Sequence, residues 1–469
     1  MSLKIDAILG EVTIGQRRKK LKEMARGNGL SDAYTTTITR LKGQKGNKAV
    51  LGWKVLMWVL YSERPLRGEE LCQALGVEIG SAELDLNNVP ALRTLLASCL
   101  GLVTIEASSS IVRLVHFTLQ EHLLSNPTLF YGPHATIAEV CLTYLNFESV
   151  KNLSPTLRSS PDTIPLLEYA AVYWGNHIRM GITENVKRLA LRLLDRFDEH
   201  ISAQLLLLHH SPYRYEGREG PTGFSGLHGA SFFGVVEIVA CVLEMKEWDV
   251  NETDCIGNTA LAWAAVLGHQ EVVKMLLERD DVNPDQPDTK YGWTPLSWAA
   301  ENGHEGIVKM FLERDDVNPD RSDTNGWTPL SLAAENGHEG IVKMLLERDD
   351  VNPDQPNTNG RTPLSSAAGK GHEGIVKMLL DRDDVNPDQP DTKYGQTPLS
   401  WAAEKGHEGI VKMLLERDDV NPDQVYAEYG QTLLSWAAEN GHEGIVKMLL
   451  ERNGVTPDQP DRSGRTPFS

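Results

Sequence analysis

From residue 225 onward the apolar positions recur in blocks. Each block reads Thr-Pro-Leu-Ser-x-Ala-Ala-x-x-Gly-His-x-x-Ile-Val-Lys-Met-Leu-Leu, and its first position falls at Ser225, Thr259, Thr294, Thr328, Thr362, Thr397, Thr432 and Thr466. The spacing is 34 or 35 residues, in the range of solenoid units. The Thr hydroxyl can cap a helix whose first-turn proline (Pro295, Pro329, Pro363, Pro398) needs no amide partner there. Leu296, Ala299 and Ala300 then make an apolar stripe, and Gly303 ends this first helix. A second helix follows from His304, with Ile307, Val308, Phe311 and Leu312 at helical spacing. Two helices this short cannot shield their own apolar faces and must stack on neighbours. Asp315 to Asp320 and the turn ending at Gly326 predict an extended finger between units.

This pattern resembles the ankyrin repeat over residues 220–469, within an expected domain of residues 216–469 holding seven units and the start of an eighth. There are departures. The His that usually follows Pro-Leu is kept only as His228 and replaced by Ser297, Ser331, Ser365, Ser400 and Ser435, which is expected to weaken the bonds between units. Asp280 and Asp315 stand where a left-handed glycine is usual after the second helix, a conformation Asp tolerates less readily. The chain stops at Ser469 as the eighth unit opens, which reads as a truncated product or a frayed end with an apolar flank on unit seven.

The units can be compared with one another. The second helix barely changes: His-Glu-Gly-Ile-Val-Lys-Met recurs from His304, His338, His372, His407 and His442. Differences gather at the finger position before Thr (Trp293, Trp327, Arg361, Gln396, Gln431), in the middle of the first helix (Trp298, Leu332, Ser366, Trp401, Trp436) and at its end (Glu301-Asn302, Gly369-Lys370, Glu404-Lys405). In ankyrin proteins these surfaces line the concave face, so the resemblance implies partner contact at Trp293, Trp298, Glu301, Asn302, Trp327, Leu332, Arg361, Lys370, Gln396, Trp401, Lys405, Gln431 and Trp436. Trp and Arg are also common interface anchors. A mid-helix Trp packs between units about as readily as it faces a partner, whereas a fingertip Trp is expected to be accessible. The histidine after each glycine reads as a structural hydrogen-bonding group, because His-Glu-Gly-Ile-Val lacks the second His of the zinc-protease helix.

The N-terminal half is patterned differently. Residues 1–48 form a basic lead segment, with Arg17, Arg18, Lys19, Lys20, Lys22 and Arg26 early in it. Residues 49–126 predict helices over 50–61, 68–75 and 89–100, then strands over 102–106 and 111–117 about a serine turn, which describes a winged helix. Residues 127–215 read as a helical connector. Glu63-Arg64-Pro65-Leu66, Glu69-Glu70-Leu71, Gly101-Leu102-Val103 and Leu114 to Glu121 resemble the winged-helix region of fungal NACHT-ankyrin proteins, and a similar winged helix is named after the inositol-deacylase family. Pro165 to Ala171 and Trp174-Gly175-Asn176-His177 fit the connector after it. NACHT proteins are nucleotide switches in signalling receptors. The resemblance implies that His116, in a His-x-x-x-Gln-Glu stretch, sits where a histidine can contact ADP phosphate; a capping or other structural role is the competing reading. No Gly-x-x-x-x-Gly-Lys-Ser/Thr loop occurs, so no nucleotide is expected to bind this chain alone.

Charge and composition narrow the function. A formal net charge of −19 repels nucleic acid and anionic membrane. The third winged-helix segment carries only Arg93 as a cation, which speaks against groove reading. Five scattered cysteines read as reduced thiols in a cytoplasmic or nuclear protein and offer no zinc site. Gly223-Phe224-Ser225-Gly226 is one residue short of a hydrolase elbow. The expectation is a mostly helical, non-catalytic scaffold without cofactor, the sensor or regulatory part of an NLR-like receptor. It would bind a protein partner of basic or mixed surface. The alternative is a nuclear, DNA-associated winged-helix adaptor with ankyrin docking repeats.

Overall fold

The computed structural model describes Gln16 and residues 29–210, 221–245, 248–425 and 430–467. The basic cluster Arg17 to Arg26 therefore lies outside the described residues. The chain divides into two compact units, Met1–Glu247 and Trp248–Ser469.

The first unit begins with α1 (Gly29–Lys42), α2 (Lys48–Tyr61) and α3 (Gly68–Gly76). Burial of Val55, Leu56 and Trp58 anchors α2, each such side chain contributing about 1.5–3 kcal/mol. The Glu-Arg-Pro-Leu run before α3 has a physical role. Arg64 forks onto Glu70 at 2.7 and 3.0 Å, while Glu70 Oε2 accepts the Arg67 amide at 2.6 Å and so closes the helix start.

The predicted third helix is shorter, α4 (Leu92–Ser98). Pro90 keeps Val89 extended, and Leu100 and Gly101 at positive φ end the helix. The hairpin pairs β1 (Val103–Ile105) with β2 (Val112–Leu114), Val103 opposite Leu114. A bridge from Ile111 to Arg67 adds a third short strand segment. The second strand stops early because His116 caps α5 (Phe117–Leu124), its Nδ1 accepting the Thr118 amide at 3.2 Å.

The connector holds α6 (Pro133–Leu145), α7 (Glu148–Lys151), α8 (Leu167–Met180), α9 (Glu184–Leu194) and α10 (Ile201–His210). Helices α6 and α8 pack together, with Trp174, Tyr169 and His177 fully buried in α8. His200 is buried as well; its Nε2–H donates to the Leu145 carbonyl at 3.0 Å and its Nδ1 accepts the Ser202 amide at 3.1 Å. Burial pushes the Cys99 thiol up to about 12, and Cys141 is raised for the same reason, so both are inert.

The first repeat, α11 (Gly226–Phe233) and α12 (Val236–Met245), belongs to this unit. It docks on the connector through glycines: a Cβ on Gly226 would lie 2.1 Å from the Leu194 carbonyl oxygen, and one on Gly175 would lie 2.1 Å from the Phe233 ring.

The second unit is a stack of helix pairs: α13 (Ala260–Val266) and α14 (Gln270–Leu277), α15 (Pro295–Glu301) and α16 (Glu305–Leu312), α17 (Pro329–Asn336) and α18 (Glu339–Leu346), α19 (Pro363–Lys370) and α20 (Glu373–Leu380), α21 (Pro398–Lys405) and α22 (Glu408–Leu415), α23 (Leu433–Glu439) and α24 (Glu443–Glu451). First helices pack on first helices and second on second.

Thr294 caps α15 by accepting the Ser297 amide at 3.1 Å, and the Ser297 hydroxyl lies 3.0 Å from Thr294 Oγ1; later repeats copy this. Serine in place of histidine thus completes a cap. Bonds between units come from elsewhere. His338 Nε2 meets the Glu301 carbonyl at 2.8 Å, and the finger amide of Thr324 donates to Tyr291 O at 2.8 Å.

The strained aspartates anticipated at Asp280 and Asp315 do not occur, since the only described non-glycine residues with positive φ are Leu100 and Ser110. Instead Arg314 donates to the preceding unit's Leu277 carbonyl at 2.7 Å and forks onto Asp316, satisfying a helix-end acceptor. On unit seven, Leu450 is 47% exposed beside a groove lined in part by Ala438, Gly441 and Val446. No helix among the described residues is long and apolar enough to cross a membrane.

Candidate partner-binding surface

Two features of the repeat set the surface. The finger turns are tied by a buried Asp or Asn, such as Asp323, whose Oδ1 accepts the amides of Asn325 and Trp327 at 2.8 and 2.7 Å. The Thr cap then fixes the first helix against the finger. The finger residue before Thr consequently faces a glutamate in the last turn of the first helix, eight positions on: Gln396 Nε2 donates to Glu404 Oε2 at 2.7 Å, and Gln431 Nε2 to Glu439 Oε2 at 3.3 Å.

The tryptophan end of the array is partly consumed by packing. Trp298 is 3% exposed, its ring centroid 4.3 Å from that of Trp293. Trp293 is half-buried and donates from Nε1 to Asp323 Oδ2 of the next unit at 2.8 Å. Trp327 is half-buried, Asn302 exposed with its amide on the Trp298 carbonyl, and Glu301 half-buried. Leu332, Gln396 and Gln431 are buried, at 6%, 5% and 8% exposure. A partner reaching this face would therefore meet Trp293 and Trp327 before Trp298 or Leu332.

The middle of the array is a charged cluster. Arg361 lies over the Trp401 ring at 4.6 Å and pairs with Glu335 of the preceding unit at 3.4 Å. Lys370 reaches the same carboxylate at 3.1 Å, and Lys405 pairs with Glu404 at 2.8 Å. Gly369 explains the arrangement. It stands where four other first helices carry Glu301, Glu335, Glu404 and Glu439 in their last turn, and a Cβ there would come within 3.0 Å of the Arg361 guanidinium and 3.5 Å of Trp401. With no carboxylate at that position in its own unit and space above the glycine, Arg361 crosses to Glu335. Trp401 and Trp436 are half-buried, and Lys370 and Lys405 are exposed.

Sequence reasoning omitted Glu335, Glu439 and Asp323 from the candidate surface and named Glu404 only among the variable helix ends. The signal was a glutamate recurring, from the third unit on, eight residues after the finger position, with glycine in the one unit whose finger residue is Arg. His116 is exposed and bound within its own helix start, 2.9 Å from Thr118 Oγ1. The repeat histidines act as structural donors: a carbonyl can only accept, so the ring nitrogen that meets it carries the proton.

Residues 197–288, 281–355 and 350–425 match ankyrin repeats in three copies, and residues 429–462 match a single ankyrin repeat. Residues 34–132 match the winged helix domain of GPI inositol-deacylase. No curated protein matches the chain. The chain is thus mostly helical, a winged-helix domain followed by ankyrin repeats. Ankyrin repeats are non-catalytic interaction modules, and the deacylase match concerns a winged helix alone.

Proposed function

We propose that this chain is the interaction and regulatory part of an NLR-like signalling receptor, in which the fingers and first helices bind a protein partner. The winged helix and connector serve as the platform through which binding is read. The observation that carries the reading is the distribution of variation. The exposed second-helix face repeats one sequence from His304 to Met448, while the fingers and first helices change from Trp to Arg to Gln. Packing alone requires no such asymmetry, because first and second helices alike stack on the equivalent helices of neighbouring units.

Binding would use Trp327 and the exposed edge of Trp293 as apolar anchors, with Arg361, Lys370 and Lys405 exchanging their internal carboxylates for groups on the partner. Since Glu335 and Glu404 already neutralise these cations, a partner of mixed charge fits better than a strongly acidic one. The residues supply shape and charge, and no chemical step.

Full-length protein carrying Trp327→Ala with Lys405→Glu, and a control carrying Lys343→Glu with Lys377→Glu on the second-helix face, are compared as baits. A bound protein retained by the wild type and the control but reduced at least about tenfold by the first variant, the loss of about 1.4 kcal/mol, supports the surface. Equal retention by all three overturns it.

A further inference from the structure

Folding of the first unit brings together three metal-ligating side chains that are distant in sequence. Glu63 follows α2 of the winged helix, His134 lies in the first turn of α6, and His177 lies in the last turns of α8. One donor atom from each lies within 4.8 Å of the others. The two imidazoles meet through their Nδ1 atoms at 2.9 Å, with ring planes 35° apart. His177 is wholly buried, His134 half-buried and Glu63 exposed, so the cluster runs from the core to the surface.

We propose that Glu63, His134 and His177 form a binding site for a divalent first-row transition ion, zinc being the probe of choice. Two imidazoles and one carboxylate are a recognised zinc donor set that leaves a further position for water or an outside ligand. The second observation is the neighbour of the buried ring. His177 Nε2 lies 2.8 Å from the Tyr169 hydroxyl, whose oxygen also accepts the Glu63 amide at 3.1 Å. A proton on Nε2 donated to that oxygen leaves Nδ1 with a free lone pair toward the cluster, the outer hydrogen bond that orients metal-bound histidines.

Burial, together with the neighbouring His134, lowers His177 to about 3, and burial lowers His134, so both rings are neutral and ready to ligate at neutral pH. The competing account is a hydrogen-bonded histidine pair in which one ring donates from Nδ1 to the other. Entry of the ion moves that proton to Nε2 of the donating ring, with no net change in protonation. The bound ion would fasten the winged helix to the connector at Glu63.

The test is titration of chelator-treated full-length protein with zinc chloride by calorimetry, alongside cobalt(II) absorption. Expected is one tight equivalent per chain, lost or weakened at least about a hundredfold by His134→Gln, the upper end of what outer-shell changes alone cost, and weakened by Glu63→Gln. The metal-free Glu63→Gln variant should unfold at the wild-type midpoint, since that side chain is exposed. Wild-type protein that binds no more zinc than His134→Gln does, at any affinity, overturns the site and leaves the histidine pair. If His134→Gln fails to fold, the exposed Glu63→Gln variant decides: undiminished zinc affinity there overturns the site as drawn.

Discussion

In the array the main cohesive contacts are made several times over. His304, His338, His372, His407 and His442 each reach a carbonyl of the preceding unit, and Arg314, Arg348, Arg382 and Arg417 do the same past the far end of the second helix. Among the described residues of the first unit the principal contacts do not recur. Arg64 on Glu70, His200 on Leu145, Tyr169 on His177 and Phe233 on Gly175 are each made once. The difference teaches where fragility lies: loss of one contact in the array is shared among equivalent neighbours, whereas each contact of the first unit has no substitute.

Glycine substitution should expose this most sharply. Gly226→Ala drives a methyl to 2.1 Å from a backbone oxygen, and a loss of about 3 kcal/mol or more is expected, the upper range of overpacking, measured by urea unfolding. Acid comes next. Burial depresses His200 to about 4 and, with His134, His177 to about 3. The unfolded chain therefore binds more protons below its ordinary histidine value, and the stability these rings confer is complete above about pH 6.5 and lost as pH falls toward the folded values. Each contributes at most about 1.4 kcal/mol per pH unit in that window. Hydrogen-exchange protection over α6, α8 and α10, taken relative to the intrinsic rate at each pH, should be lower at pH 5.5 than at pH 7; unchanged protection there would break the comparison.

His338→Ala removes one inter-unit bond of 2.8 Å and should cost about 1 kcal/mol, seen as a lower urea midpoint. Gly374→Ala should cost least. The nearest atoms to its Cβ would be those of the Glu339 carboxylate, at 2.1 Å, a flexible end that can swing aside, and helix propensity returns up to about 1 kcal/mol. An effect as large as that of Gly226→Ala would show that the array does not share its load.

Much of the array was legible because its determinants are local: the Thr cap, the proline after it and the glycine stop lie within a dozen residues of one another. The burial of Trp298, Leu332, Gln396 and Gln431 was not, since it depends on how far the neighbouring finger folds over the first helix. Nor was the pairing of Arg361 with Glu335, which belongs to the preceding unit. In the first unit the helices and hairpin could be read from periodicity, but His134 and His177, forty-three residues apart, meet only through the packing of α6 on α8.

Because each second helix offers its successor the same ledge and receives the same hook in return, a block of 34 or 35 residues could be excised or duplicated with every surviving seam closing as before. Such an edit would leave the backbone lattice intact while moving the arginine–tryptophan step relative to the tryptophan end, so the length and spacing of the reading surface can be retuned without inventing any new contact.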